Sequence, residues 1–164
     1  MIVVSDTTPL ISFLKIKRLD LLEELFGEVV IPQGVFEELT IDERFKSEAA
    51  QIESEQFIVV KDIINEESVS ILKRVTGLDK GESEAIVLTD ELQADLLLMD
   101  EAKGRTVSGQ MGIKIMGTIG ILMAAYEEKY ITSEEVKECI EILQKSGRHI
   151  GQRHYQMLLD RLKE

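Results

Sequence analysis

Short β-branched runs alternate along this chain with longer stretches in which apolar residues recur every three or four positions. Five runs predict strands: residues 2–5, 29–31, 57–60, 95–99 and 113–116. The helical period predicts helices over 9–16, 19–26, 32–39, about 45–56, 66–75, 81–92, 101–110, 118–129 and 133–145. Pro9 and Pro32 are read as first-turn helical residues, where a missing N–H does no harm. Ser133-Glu134-Glu135-Val136 reads as a capped helix start with acids in its first turn. Strands alternating with helices give a parallel sheet covered on both faces, so the fold class is α/β.

Composition narrows this picture. The 164 residues are 44% hydrophobic and 30% charged, which excludes a disordered tail and a collagen-like repeat. No linker, internal repeat or low-complexity tract divides the chain, so one domain spanning 1–164 is expected. Cys139 is the one cysteine and has no intramolecular partner; a reducing compartment, the cytoplasm, is expected. No apolar run approaches the ~20 residues needed to cross a bilayer, so no membrane partner is expected.

Nineteen Lys and Arg against thirty-one Asp and Glu leave a net charge of −12, which excludes a histone-like basic binder. Such acidity argues by default against nucleic acid, because Lys and Arg dominate phosphate binding. The exception is 145–164, with Lys145, Arg148, Arg153, Arg161 and Lys163 against Asp160 and Glu164, and with His149 and His154. Its simplest reading is a solvated basic helix pairing with the acidic body.

Asp6 ends the first predicted strand and Asp100 the fourth. In a doubly wound sheet, ligands collect outside the carboxyl ends of strands where the strand order reverses, so the two acids share one place if those strands are neighbours. Asp6 taken alone reads first as a helix cap, since Asp is common in βα turns, with Thr7, Thr8 and Pro9 shaping the turn. Glu84 lies one turn from Val87 and Leu88, on the stripe its helix buries, whereas Glu82 points elsewhere as a first-turn acid. Glu38, between Val35 and Ile41, is placed like Glu84, with Glu37 as the competing choice.

Carboxylates converging without a basic cluster repel one another and raise each other's pKa values unless a cation joins them. Oxygen ligands alone favour Mg²⁺ or Mn²⁺ over Zn²⁺. The chain has no CxxC, no HExxH, no Walker loop and no GxGxxG. Gly117-Thr118-Ile119-Gly120 reads as a strand end opening a helix.

Five segments taken in order carry a resemblance: residues 3–11 from Val3, 30–39 with Glu38, 81–86 with Glu84, 97–101 with Asp100, and 117–122 from Gly117. Together they resemble the successive motifs of PIN-domain proteins, closest to the DUF3368 branch, from residue 2 to about 130 and more loosely through the C-terminal helices of 131–164. The resemblance implies a three-layer α/β/α domain with a parallel five-stranded sheet of order 3-2-1-4-5. It implies a Mg²⁺- or Mn²⁺-dependent ribonuclease for single-stranded RNA, often the toxin of a toxin–antitoxin pair, with Asp6, Glu38, Glu84 and Asp100 as catalytic acids. Asp6, Glu84 and Asp100 would hold the metal. Toxin members commonly carry Asp where Glu84 stands, and the longer side chain would move the metal.

Lys103 and Arg105, just beyond Asp100, are candidates for RNA phosphates, as are Lys15, Lys17 and Arg18, with plain solvation as the alternative for each. An antitoxin protein is a possible partner in this reading. A homodimer is expected from family habit and from the apolar surface of 19–26. The competing function is a non-catalytic PIN-like module that binds RNA or protein. A haloacid-dehalogenase phosphatase fits worse, because Thr8 stands where it needs a second Asp. A response-regulator receiver fits worse too, because Val60-Lys61-Asp62 is a poor phosphoacceptor match.

Overall fold

The computed structural model describes residues 1–41, 46–148 and 150–162. Five strands, β1 (Val3–Ser5), β2 (Val29–Pro32), β3 (Ile58–Lys61), β4 (Leu96–Leu98) and β5 (Ile115–Met116), form one sheet of order β3-β2-β1-β4-β5. All four pairings are parallel, with Val4 opposite both Val30 and Leu97. The central strands are apolar at nearly every position because both sheet faces are covered.

Alternate residues divide between two cores. Val3, Val29, Ile31, Leu96 and Leu98 face one side. There they meet α1 (Thr7–Lys15), α2 (Asp20–Phe26), α8 (Thr118–Glu127), α9 (Ser133–Lys145) and α10 (Gln152–Leu162). Val4, Val30, Leu97 and Met99 face the other side, against α5 (Glu66–Thr76), α6 (Lys80–Glu91) and α7 (Ala102–Gln110). Val35 and Leu39 of α3 (Gln33–Ile41) and Ile52 of α4 (Lys46–Ser54) close the first core beside β2. The result is three layers, α/β/α, with the strand order that the resemblance implies.

Several local expectations need correction. Pro32 ends β2 opposite Lys61, and the helix begins at Gln33. Thr132, not Ser133, caps α9: its side chain accepts from Glu135 N–H while the Glu135 carboxylate accepts from Thr132 N–H. The basic C-terminal helix is more than a solvated face, since Leu158 and Leu162 enter the core and Arg161 pairs with Glu127. In α2 and the residue before it, Leu19, Leu21 and Leu22 are buried and Leu25 and Phe26 pack against the core, so the apolar side of this helix is used within the chain. The expected helix start at Phe45, together with His149, Lys163 and Glu164, lies outside the described residues. Among the described residues no helix is long and apolar enough to cross a membrane.

The order places β1 beside β4, where the chain has finished building one half of the sheet and begins the other. This is the switch point at which a crevice opens beyond the strand ends. The Asp6 N–H donates to the Leu98 carbonyl at 3.0 Å and joins the two ends.

Candidate active site

Asp6 occupies the N-cap position of α1, yet its side chain makes no capping hydrogen bond. The residue is only 4% exposed. Burial drives its carboxyl pKa up to about 7; the Thr7 N–H opposes the rise, and the charges of Glu82, Glu38 and Asp79 add to it. An acid so placed shares its site with other acids and lacks the counter-charge that would ionise it.

Glu38 stands at the exposed rim, where its Oε2 accepts from the Thr7 hydroxyl at 2.9 Å. Its pKa is raised by its surroundings, by burial first, with the Thr7 bond opposing and Asp79 and Glu84 adding. Glu37, the competing residue, instead pairs with Lys80 at 3.3 Å. Glu38 is thus the one of the two that reaches Thr7 beside Asp6, from an exposed position rather than from a buried stripe.

Glu82 is the first-turn acid of α6, as expected, yet its charge also bears on Asp6. Glu82 forms a capping box with Asp79, and the box turns its carboxylate back to the N-terminus of α6, where its charge raises Asp6. Glu84 is buried as expected, but two residues further round the helix it faces α3. Its Oε1 accepts from Gly34 N–H at 3.3 Å, while its buried Oε2 has no hydrogen-bond partner.

The two helices fit reciprocally. The Glu84 carboxylate lies over Gly34 and the Glu38 carboxylate over Gly81, and a Cβ on either glycine would overlap the acid above it. This is where the extra methylene of Glu84 goes: it reaches across to the backbone of α3. Burial raises the Glu84 pKa, the Gly34 bond and Lys80 oppose, and Glu37 and Glu66 add.

Asp100 has different company. Its Oδ1 accepts from Thr118 N–H at 2.8 Å and its Oδ2 from the Thr118 hydroxyl, so it caps α8 from beyond β4 while Gly117 holds the cap position. Arg148 Nη1 lies 3.3 Å from the same Oδ2, and Arg148 Nη2 donates to Ser12 Oγ. Arg105 stands alongside, donating weakly to the Met99 carbonyl at 3.5 Å. Lys103 lies toward Gly77. Arg18 bridges Asp20 and Glu135 and so ties the α1–α2 turn to α9, while Lys15 and Lys17 are exposed.

Of the four sequence-derived acids, Asp6 and Glu38 share one group, Glu84 adjoins Glu38 across a helix contact, and Asp100 is held by its own donors. The bearing of Glu82, Asp79 and Arg148 on these acids was not anticipated. The Asp-x-x-Glu spacing of residues 79–82 carried the box, whereas nothing local marks Arg148 as a partner of Asp100. Among the described residues no three of His, Cys, Asp or Glu gather closely enough to hold one ion.

The expected ligand set Asp6, Glu84 and Asp100 is therefore not gathered, but the donor chemistry of Asp6 and Glu38 suits a divalent cation. The donors are all oxygen, Asp6 lacks a counter-charge, and Mg²⁺ is usually held by one or two carboxylates together with water and substrate phosphate. In comparisons with known proteins, the model of the DUF3368 family, described as a PIN domain, matches residues 2–164. No curated protein matches the chain.

Proposed function

The chain belongs to the PIN-domain family, and from the acids at its switch point we propose that it is a Mg²⁺- or Mn²⁺-dependent endoribonuclease acting on single-stranded RNA. The observation that supports this reading is the buried carboxyl of Asp6, raised to about 7 among further acids in the crevice where β1 and β4 end.

Asp6 and Glu38 would hold the cation, in place of the set Asp6, Glu84 and Asp100 that the resemblance implies; Glu84, turned onto Gly34, and Asp100, engaged by Thr118 and Arg148, would act from beside it. A bound ion supplies polarisation of the phosphoryl oxygen, a lowered pKa for the attacking water and charge to stabilise the leaving oxygen. The chain's own residues prepare for this. Asp6 would give up its proton to become a ligand, Thr7 orients Glu38 through its hydroxyl, and the α3–α6 contact, with each acid over the other helix's glycine, fixes the phase of both helices.

The test is cleavage of a labelled single-stranded RNA with Mn²⁺ and with chelator. Cleavage only with metal, and its loss in Asp6→Asn, is expected; intact RNA at saturating Mn²⁺ overturns the reading. A toxin role in the cytoplasm, with an antitoxin as partner, predicts growth arrest on expression that a co-expressed neighbouring reading frame relieves. A homodimer would scatter light at twice the monomer mass.

A second reading, a non-catalytic module that binds RNA or protein, is favoured by one observation: among the described residues no three acids converge. It predicts RNA binding without metal-dependent cleavage.

A further inference from the structure

A cavity of about 440 Å³ opens beside Asp100, bounded by α7, the start of α8 and the segment after α9. Two guanidiniums reach it from elements far apart in sequence, Arg105 from α7 and Arg148 from beyond α9. His154 of α10 and the Thr118 hydroxyl complete its polar lining. In a chain of net charge −12, such a concentration of cations runs against the general trend.

Among the described residues Asp100 is the one acid on its wall, and both Asp100 oxygens already accept hydrogen bonds from Thr118. A guanidinium carries five N–H donors. Arg148 uses donors toward Asp100 and Ser12, and Arg105 uses a weak one toward Met99, which leaves each with donors to offer a ligand.

The cavity also has a floor that needs glycine. A Cβ at Gly117 would stand 2.6 Å from Arg105 Nη1 and 2.9 Å from Asp100 Oδ1, closing the space between the guanidinium and the carboxylate. Met116, Ile119 and Ile150 give an apolar side. Planar forks of N–H donors suit the oxygens of a phosphate, and an apolar side suits a base. The volume lies within the range of small-ligand sites.

We propose that this cavity binds one nucleotide of the RNA strand, with its phosphate between Arg105 and Arg148 and its base against the apolar side. That the nucleotide belongs to a substrate rests on the ribonuclease reading; the affinity of the cavity for a nucleotide does not. The seat adjoins Asp100, so it would hold the strand beside the cleaved bond and fix its direction across the crevice.

The test is titration of the intact protein with uridine 3′-monophosphate in chelator, followed by calorimetry or amide shifts, with uridine as the control. Binding of the nucleotide well above uridine, weakened at least ~10-fold in Arg105→Gln and in Arg148→Gln, is expected. Arg148 also holds Asp100 and Ser12, so thermal melts must show each variant folded, and Arg105→Gln keeps both of those contacts. Nucleotide binding no better than uridine, or unchanged affinity in either folded variant, overturns the proposal. Metal-free binding without Mn²⁺-dependent cleavage retains the cavity and removes the ribonuclease reading; cleavage without nucleotide binding does the reverse.

Discussion

Two aspartates stand past the ends of adjacent parallel strands, and the protein treats them in opposite ways. Asp100 receives the Thr118 N–H and hydroxyl and faces Arg148, so its charge is matched by groups of the fold itself. Asp6 is nearly sealed from water, and the charges of Glu82, Glu38 and Asp79 add to the burial that raises its pKa. A charge matched within the fold stays ionised, whereas an unmatched buried acid holds its proton until something from outside supplies a counter-charge. In the proposed reading a cation would complete Asp6, while Asp100 stands between that position and the guanidiniums.

Substitution with Asn should separate the two most sharply. Asp6→Asn removes a ligand charge and should reduce RNA cleavage by roughly 10³-fold, since a metal's transition-state contribution amounts to several kcal/mol. The same variant should melt higher than wild type in chelator, because a carboxyl shifted from 3.8 to about 7 costs the folded state on the order of 4 kcal/mol once ionised. Asp100→Asn should do the opposite to stability and lower it by about 1–3 kcal/mol, through loss of the acceptor for the Thr118 hydroxyl and of the charge facing Arg148. If both variants shifted the melting temperature in the same direction, the comparison would collapse.

Acidity should expose the same asymmetry with no mutation at all. Between pH 4 and about 7 the folded state holds the Asp6 proton that the unfolded chain has released, so the stability of metal-free protein falls as pH rises through this window. Denaturant titrations at pH 5 and pH 8 should show the loss, and Asp6→Asn should flatten it. The smallest effect is expected from Glu82→Gln, which removes one of the charges that push Asp6 up. Carboxyl carbon NMR should report Asp6 titrating lower, while Glu37→Gln leaves it in place.

How legible these features are in the sequence depends on the distance over which each is specified. The strands and the α/β class follow from β-branched runs and helical periods, which are local. The placement of Asp6 at a strand end and of Glu38 on its helix rests on strand ends and helix phase, which are local too. The influence of Glu82 on Asp6 is not legible, because a first-turn acid reads as a dipole partner and only the fold brings the N-terminus of α6 within reach of Asp6. The place of Glu84 over Gly34 depends on how α3 crosses α6, and the approach of Arg148 to Asp100 on how the segment after α9 returns to α1. Neither is encoded in a neighbouring residue. Pro32 and Ser133 were displaced by one position, as happens at element ends where a strand end or an adjacent Thr competes for the same role.

Calorimetric titration of Mn²⁺ near pH 7, in buffers of different ionisation enthalpy, addresses the central claim most directly, because a cation that binds Asp6 must displace its proton. The account predicts binding to wild-type protein with release of up to about one proton per ion as Asp6 ionises, and loss of both binding and release in Asp6→Asn. Wild-type protein that binds no Mn²⁺, or an Asp6→Asn variant that binds it equally well with the same proton release, would contradict it.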